Sequence, residues 1–407
     1  MKNKDIVLEK IIKKEERRQR ETINLIASEN YPSKEVRNAL SSLFISKYSE
    51  GRPKKRYYAG IKNIDQLELL AEKRTREVFK LNSFWEINVQ PYSGAIANYA
   101  ILRGLLKPGE KIMTLALDQG GHLSHGHSVN LSGKDFQVVH YFLNPKTLLL
   151  DYKEIEKKAK KEKPRLIIAG YTSYPRKVNF KIFSQIAKKV NSYLLADISH
   201  IAGLIVGGIH PNPFPWADVV MTTTHKTLRG PRGAIIICKK ELKEKIFRTV
   251  FPGLQGGPHN HTIAGLCVCL FEAKTKKFKK YIQQVVKNAK TLAQELKNYG
   301  FDLVTNGTDN HLLLLDLRKK KISGTFAQEI LEKAGIIVNK NALPYDQANF
   351  FNPSGLRLGT PAITSRGMKE KEMKKIAFWI YQIIENPKKA LKIKKEVKKF
   401  ALSFKID

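Results

Sequence analysis

The apolar, β-branched run from Val219 to Thr223 ends in Thr224, His225, Lys226, Thr227, Leu228, Arg229, Gly230, Pro231, Arg232 and Gly233. An ammonium is a poor nucleophile, but neighbouring cations and partial desolvation lower a lysine pKa and free the amine. His225, Arg229 and Arg232 are placed to supply such a cationic field, and a free Lys226 amine can form a Schiff base with an aldehyde cofactor. The alternative is a solvated lysine in a turn before Gly-Pro. Upstream, the segment from Tyr193 to His200 predicts a short buried strand that closes on Asp197 and His200. In open α/β sheets ligands bind beyond the carboxyl ends of the strands, so Asp197, His200 and Lys226 are expected in one crevice. A lysine paired with a carboxylate that keeps a pyridine nitrogen protonated is the arrangement pyridoxal phosphate requires. Asp197 read alone fits a helix cap equally well.

Other residues extend this chemistry. Ser93, Gly94 and Ala95 precede the helical pattern 96–106, and backbone N–H groups at such a start cradle a phosphate. Gly256 and Gly257 form a side-chain-free turn. Arg357 offers a planar, bidentate cation for a substrate carboxylate, or is an arginine in a surface turn. His122, His125 and His127 crowd together, but no carboxylate or thiol lies in register with them, so no metal site is expected.

The elements that must position these residues read as three parts. Residues 1–50 predict a charged amphipathic helix and an extended arm that wraps a partner subunit. From 51 to 275, buried apolar runs at 111–115, 165–169, 193–200, 219–223 and 234–238 alternate with helical patterns, indicating a mainly parallel sheet covered on both faces. A lysine-rich helix near 276–299 opens a smaller α+β domain, 276–407, with a strand at 311–316. Three cysteines without CxxC spacing argue against disulfides or zinc. No apolar run approaches the roughly 20 residues that span a bilayer, and the N-terminus lacks a signal peptide's apolar core, so a cytoplasmic protein without membrane association is expected. The net charge of +36 comes mostly from lysines on solvated helical faces, as at 153–163 and 388–399, with few interleaved aromatics. It implies non-specific polyanion attraction at low salt, not a specific nucleic-acid site.

The chain resembles the serine hydroxymethyltransferase family from about residue 25 to about 364. The motifs are LIASENY (25–31), KRYYAG (55–60), NVQPYSG (88–94), GGHLSHG (120–126), the Lys226 run, FPGLQGGP (251–258), TDNH (308–311) and SGLRLGTP (354–361). The resemblance implies an α/β fold of the pyridoxal-phosphate-dependent aminotransferase-like class, fold type I. It also implies a homodimer with shared active sites that interconverts serine plus tetrahydrofolate with glycine plus 5,10-methylenetetrahydrofolate. By resemblance, His122 lies flat on the cofactor ring, Thr172 and His200 face its hydroxyl side, and Arg232 steadies the loop beyond Lys226. His225 is counted with the catalytic group. Ser93, Gly94 and Ala95 hold the phosphate, while Tyr48, Gly256 and Gly257 reach the neighbouring subunit's cofactor. Arg357, assisted by Ser28, takes the substrate carboxylate. Glu50 of the adjacent subunit sits over the reacting carbon as proton shuttle, with Tyr58 nearby. Tyr57, Leu117, Gly121 and Leu123 line the folate site, with Asn341 and Ala348, Asn349 and Phe350 across the cleft. The chain departs from the family pattern at Ala59, Asp118 and Gln119.

Two rival functions use parts of the same pattern. A threonine aldolase needs the lysine and aspartate but not the Tyr57, Leu117 and Leu123 surface. A basic binding protein with a decayed site explains the charge but not the competent side chain at every chemical position.

Overall fold

The computed structural model describes residues 5–349 and 351–406. It divides into two compact units, residues 32–283 and residues 1–31 with 284–407.

The larger unit is organised by a seven-stranded sheet. In chain order its strands are β1 (Trp85–Asn88), β2 (Lys111–Leu115), β3 (Gln137–Tyr141), β4 (Leu166–Gly170), β5 (Tyr193–Asp197), β6 (Val219–Thr223) and β7 (Ala234–Lys239). Their order across the sheet is β1-β7-β6-β5-β4-β2-β3. Strands β2 to β6 pair in parallel, while β7 runs antiparallel to both β6 and β1. Successive residues of β4, β5, β6 and β7 are buried, which requires cover on both faces. One cover is α2 (Gly94–Leu105), whose Ala97, Ala100 and Ile101 join a core with Ile168, Leu195, Met221 and Ile236. The sheet class expected from the buried runs is therefore present, but β1 and β3 escaped the sequence reading. Both lie at sheet edges and mix polar with apolar residues.

Residues 34–40 form a helix capped by the Ser33 hydroxyl, where an extended arm was expected. Ser33 as N-cap with Glu35 in the first turn supplies the local start signal. A tight hairpin, Gly51–Arg52 with Lys55–Arg56, stands before α1 (Lys62–Phe79).

In the other unit, a four-stranded antiparallel sheet contains β8 (Asp302–Leu303), β9 (Leu312–Asp316), β10 (Asn339–Asn341) and β11 (Gly355–Gly359), ordered β8-β9-β11-β10. The helices Gly324–Lys333, Glu370–Glu385 and Ala390–Leu402 bury leucine, isoleucine and Trp379 against it. The N-terminal helix Ile6–Glu21 has no buried residue, and Ile6, Val7, Leu8, Ile11 and Ile12 are exposed. The Arg366 guanidinium fixes its end by donating to the carbonyls of Gln19, Arg20 and Thr22.

Candidate active site

Strand β5 ends at Asp197, which is 9% exposed. Gly170 lies opposite it, and a Cβ there would fall 2.5 Å from the Asp197 Cβ, so β4 ends in glycine to admit the carboxylate. Asp197 Oδ2 accepts from Asn98 Nδ2 at 3.0 Å and pairs with His125 Nε2 at 2.9 Å, while Oδ1 accepts from the Ser199 N–H at 3.0 Å. Burial alone would raise its pKa, but the His125, Asn98 and Ser199 contacts outweigh burial and hold the carboxyl well below the usual carboxylate range. The helix-cap alternative fails, because the following helix, Ala202–Val206, has Ile201 at its N-cap.

The network continues outward. Asn98 Nδ2 also donates to Ser124 Oγ at 2.9 Å, and Ser124 Oγ lies 2.8 Å from His122 Nδ1. His122 and His125, read together as a histidine cluster, have different tasks: one bonds Ser124 and the other Asp197, with ring centroids 5.4 Å apart. Asn98 Oδ1, His125 Nδ1 and Thr223 Oγ1 are buried without a hydrogen-bond partner among the described residues. Such unmet polar atoms beside a buried anion suit a polar ligand. A protonated ring nitrogen, which donates, fits the ionised Asp197 carboxylate as its acceptor.

Lys226 follows β6, the neighbour of β5, and is only 8% exposed, which removes the reading of a solvated turn lysine. Its loop is tied to the Asp197 turn: Thr227 Oγ1 donates to the His200 carbonyl at 2.9 Å, and the Thr223 N–H donates to Ser199 Oγ at 3.0 Å. The expected cationic field is smaller than the sequence implied. Burial, with Lys226 and Arg232 nearby, pushes His225 down to about 3, so its imidazole is neutral. Arg229, half-buried, lies over the Tyr281 ring, and Arg232 is exposed.

Ser93 caps α2, its hydroxyl accepting from the Ile96 N–H, and Ala95 is exposed in the first turn. Gly94 packs so closely on β6 that a Cβ would lie 2.7 Å from Thr223 Cγ2. This helix start is thus built against the strand that leads to Lys226. Gly121 has its own constraint, a Cβ position 2.3 Å from the Leu115 carbonyl, and the Thr172 N–H donates to the Gly120 carbonyl at 2.8 Å. Leu117 is half-buried and Leu123 exposed beside them. Gln119 is buried with its Oε1 accepting from the Leu143 N–H, so this departure from the family pattern serves the interior; Asp118 is exposed.

A second cluster in the same unit gathers Tyr48, Glu50, Gly256 and Gly257. A Cβ on Gly256 would lie 3.1 Å from Glu50 Oε1, and one on Gly257 would lie 3.1 Å from the Tyr48 ring. The Tyr48 and Tyr58 rings are 5.2 Å apart, and Tyr57 meets Phe251 edge-on. The three tyrosines are open to solvent, with Tyr57 75% exposed, while Glu50 and Phe251 are half-buried.

In the smaller unit, Arg357 on β11 is 7% exposed and donates from Nε to Asn339 Oδ1 at 3.1 Å, which excludes the surface-turn alternative. Burial lowers its guanidinium to about 10, still charged at neutral pH. Gly359 on the same strand lets Ala27 approach, and its N–H donates to the Leu25 carbonyl, so half-buried Ser28 runs past the end of β11. Asn341 pairs with Gly355 across β10 and β11; Ala348 and Asn349 are exposed in the following loop, and Phe350 lies outside the described residues.

Asn98, Ser124 and Ser199, together with the pairing of His125 to Asp197, were missed in the sequence. The available signals were the i, i+4 spacing of Gly94 and Asn98 on one helix face and the three-residue step from His122 to His125.

Against known proteins, the family model described as serine hydroxymethyltransferase matches residues 1–380. The chain is also similar to a "Serine hydroxymethyltransferase" from Methanosarcina barkeri (strain Fusaro / DSM 804). They are 53% identical over 376 residues, covering 92% of this chain and 90% of that protein.

Proposed function

Because the chain belongs to the serine hydroxymethyltransferase family, we propose that Lys226, Asp197 and the groups around them form the pyridoxal phosphate site of a centre shared by two chains. The enzyme is a one-carbon transferase with the fold type I architecture of its family. It catalyses the reversible conversion of L-serine and tetrahydrofolate to glycine and 5,10-methylenetetrahydrofolate. The family depends on pyridoxal phosphate, which when bound supplies an electron sink for the pair released from the Cα–Cβ bond.

In this reading Lys226 anchors the cofactor through its amine and Asp197 holds a proton on the pyridine nitrogen. Support comes from one observation above the others: a carboxylate kept ionised in a buried position, at the strand end beside the lysine-bearing loop. His122 lies along the ring, Thr172 and His200 meet its hydroxyl side, and Ser93 with the N–H groups of Gly94 and Ala95 takes the phosphate. Arg232 steadies the loop, and neutral His225 is an acceptor for a proton near the Lys226 amine. Arg357 and Ser28 bind the serine carboxylate.

From the other chain of a homodimer come Gly256, Gly257, Tyr48 and Glu50, with Glu50 moving the serine hydroxyl proton and Tyr58 beside the carboxylate. Tyr57, Leu117, Gly121, Leu123, Asn341 and residues 348–350 receive the folate. We place the enzyme in the cytoplasm and assign the arm to 1–50, the cofactor domain to 51–275 and the small domain to 276–407. Borohydride reduction of the cofactor-loaded enzyme followed by peptide mapping should mark Lys226. A label on another lysine contradicts the assignment.

A further inference from the structure

The loop that carries Tyr48 and Glu50 cannot hold itself in place. Its hairpin has two residues on each side, and a short isolated hairpin is marginal in water. Its neighbours Tyr48, Tyr57 and Tyr58 are all exposed. Yet Glu50 and Tyr48 lie directly against Gly256 and Gly257, so something beneath must fix both segments.

That support is a buried polar node. Glu68 on α1 is fully buried and accepts from Arg52 Nη1 at 2.7 Å, Arg56 Nη2 at 2.6 Å and Gln90 Nε2 at 2.9 Å. Arg56 turns Nη1 to the carbonyls of Ser49 and Gly51, the residues either side of Glu50, at 2.8 and 2.7 Å. The Glu50 carbonyl itself accepts from the Tyr57 N–H. Gln90, 2% exposed, reaches both segments. Its Nε2 donates to the Gly51 carbonyl at 2.9 Å, and its own carbonyl accepts from Gln255 Nε2 at 2.7 Å, one residue before Gly256. Tyr92 closes the far side, its hydroxyl donating to the Gly257 carbonyl at 2.6 Å. Apolar packing would bring these segments near each other; charge-assisted bonds to the carbonyls flanking Glu50 also fix their orientation.

We infer that Glu68 and Gln90 are positioning residues of the reaction, setting Glu50 and the Gly256–Gly257 turn in one geometry as a single unit. The inference rests on the proposed role of Glu50 and names what makes that role possible.

The test is a double-mutant cycle in the cofactor-loaded enzyme, crossing Gln90→Met with Glu50→Gln. Gln90→Met removes both donors at similar volume while leaving the backbone bond to Gln255. It should lower kcat about tenfold to a hundredfold, the effect of a misplacement on the order of 1 Å, with serine KM within about threefold. The cofactor absorbance band should keep its position and intensity. On the Glu50→Gln background the same change should cost less than about twofold, because groups acting as one unit are not additive. Glu68→Asp, which keeps the charge but withdraws it, is the second probe and should show the same non-additivity. Equal losses on both backgrounds, or a Gln90→Met kcat within about threefold of the parent, overturn the inference while the role of Glu50 stands. Full activity of Glu50→Gln alone overturns the proposed role of Glu50 and the inference with it.

Discussion

The two functional clusters of the larger unit are built by opposite means. Around Asp197 the polar groups sit on strand ends and one helix face, with Asp197 and Lys226 both under a tenth exposed, so the sheet itself sets their geometry. Around Glu50 the aromatic groups are open, Tyr48 at 55% and Tyr58 at 44%, and their placement depends on charged bonds from beneath. The difference teaches which half of the proposed shared centre can form alone. The Asp197 half is interior, its hydrogen bonds made between strand ends and a helix face of one chain. The Glu50 half is a pre-set face of exposed tyrosines around a half-buried carboxyl, which suits the proposed service to another chain.

The largest effect should come from breaking the interior half. Asp197→Asn keeps the shape but removes the charge proposed to hold a proton on the cofactor ring. Turnover should fall by several powers of ten, since each 1.4 kcal/mol or so is tenfold in rate. Near-native turnover would refute the role of Asp197.

Much of that half was legible in the sequence. Apolar runs leading to Asp197 and Lys226 announced neighbouring parallel strands, because a parallel sheet buried on both faces demands continuous apolar residues. His125 was not legible as the partner of Asp197, 72 residues away. Only the fold brings the GGHLSHG turn beneath β5. The exposed half was legible by motif alone: Tyr48, Glu50, Tyr57 and Tyr58 have no periodicity, and their anchors Glu68 and Gln90 read locally as an ordinary helix surface and loop. The short helix at 34–40 and the edge strand β3 were missed for a related reason, since partial exposure blurs the apolar pattern, while β1 is mostly buried but alternates Glu86 and Asn88 with Trp85 and Ile87.

A smaller effect tests the support of the exposed half. Glu72 accepts from Arg52, but burial dominates and raises its carboxyl to about 7 from 4.5. A carboxyl whose folded pKa is raised penalises the fold as pH climbs from the unfolded value through the folded one, and fully above it. Glu72→Gln should therefore stabilise the enzyme by about 1–2 kcal/mol at pH 8, with the gain fading toward pH 4.5. Melting temperatures of both proteins across that range check it; a gain that grows toward low pH would reverse the assignment.

The shared centre is tested most directly by mixing Lys226→Ala, which is inactive, with Glu50→Gln, which is strongly impaired, and letting subunits exchange. About half the dimers should be mixed, each with one intact centre of two, so activity should return to roughly a quarter of wild type. If labelled subunits show that exchange has occurred and activity stays at the level of the separate variants, Glu50 serves its own chain and the account of two complementary halves is wrong.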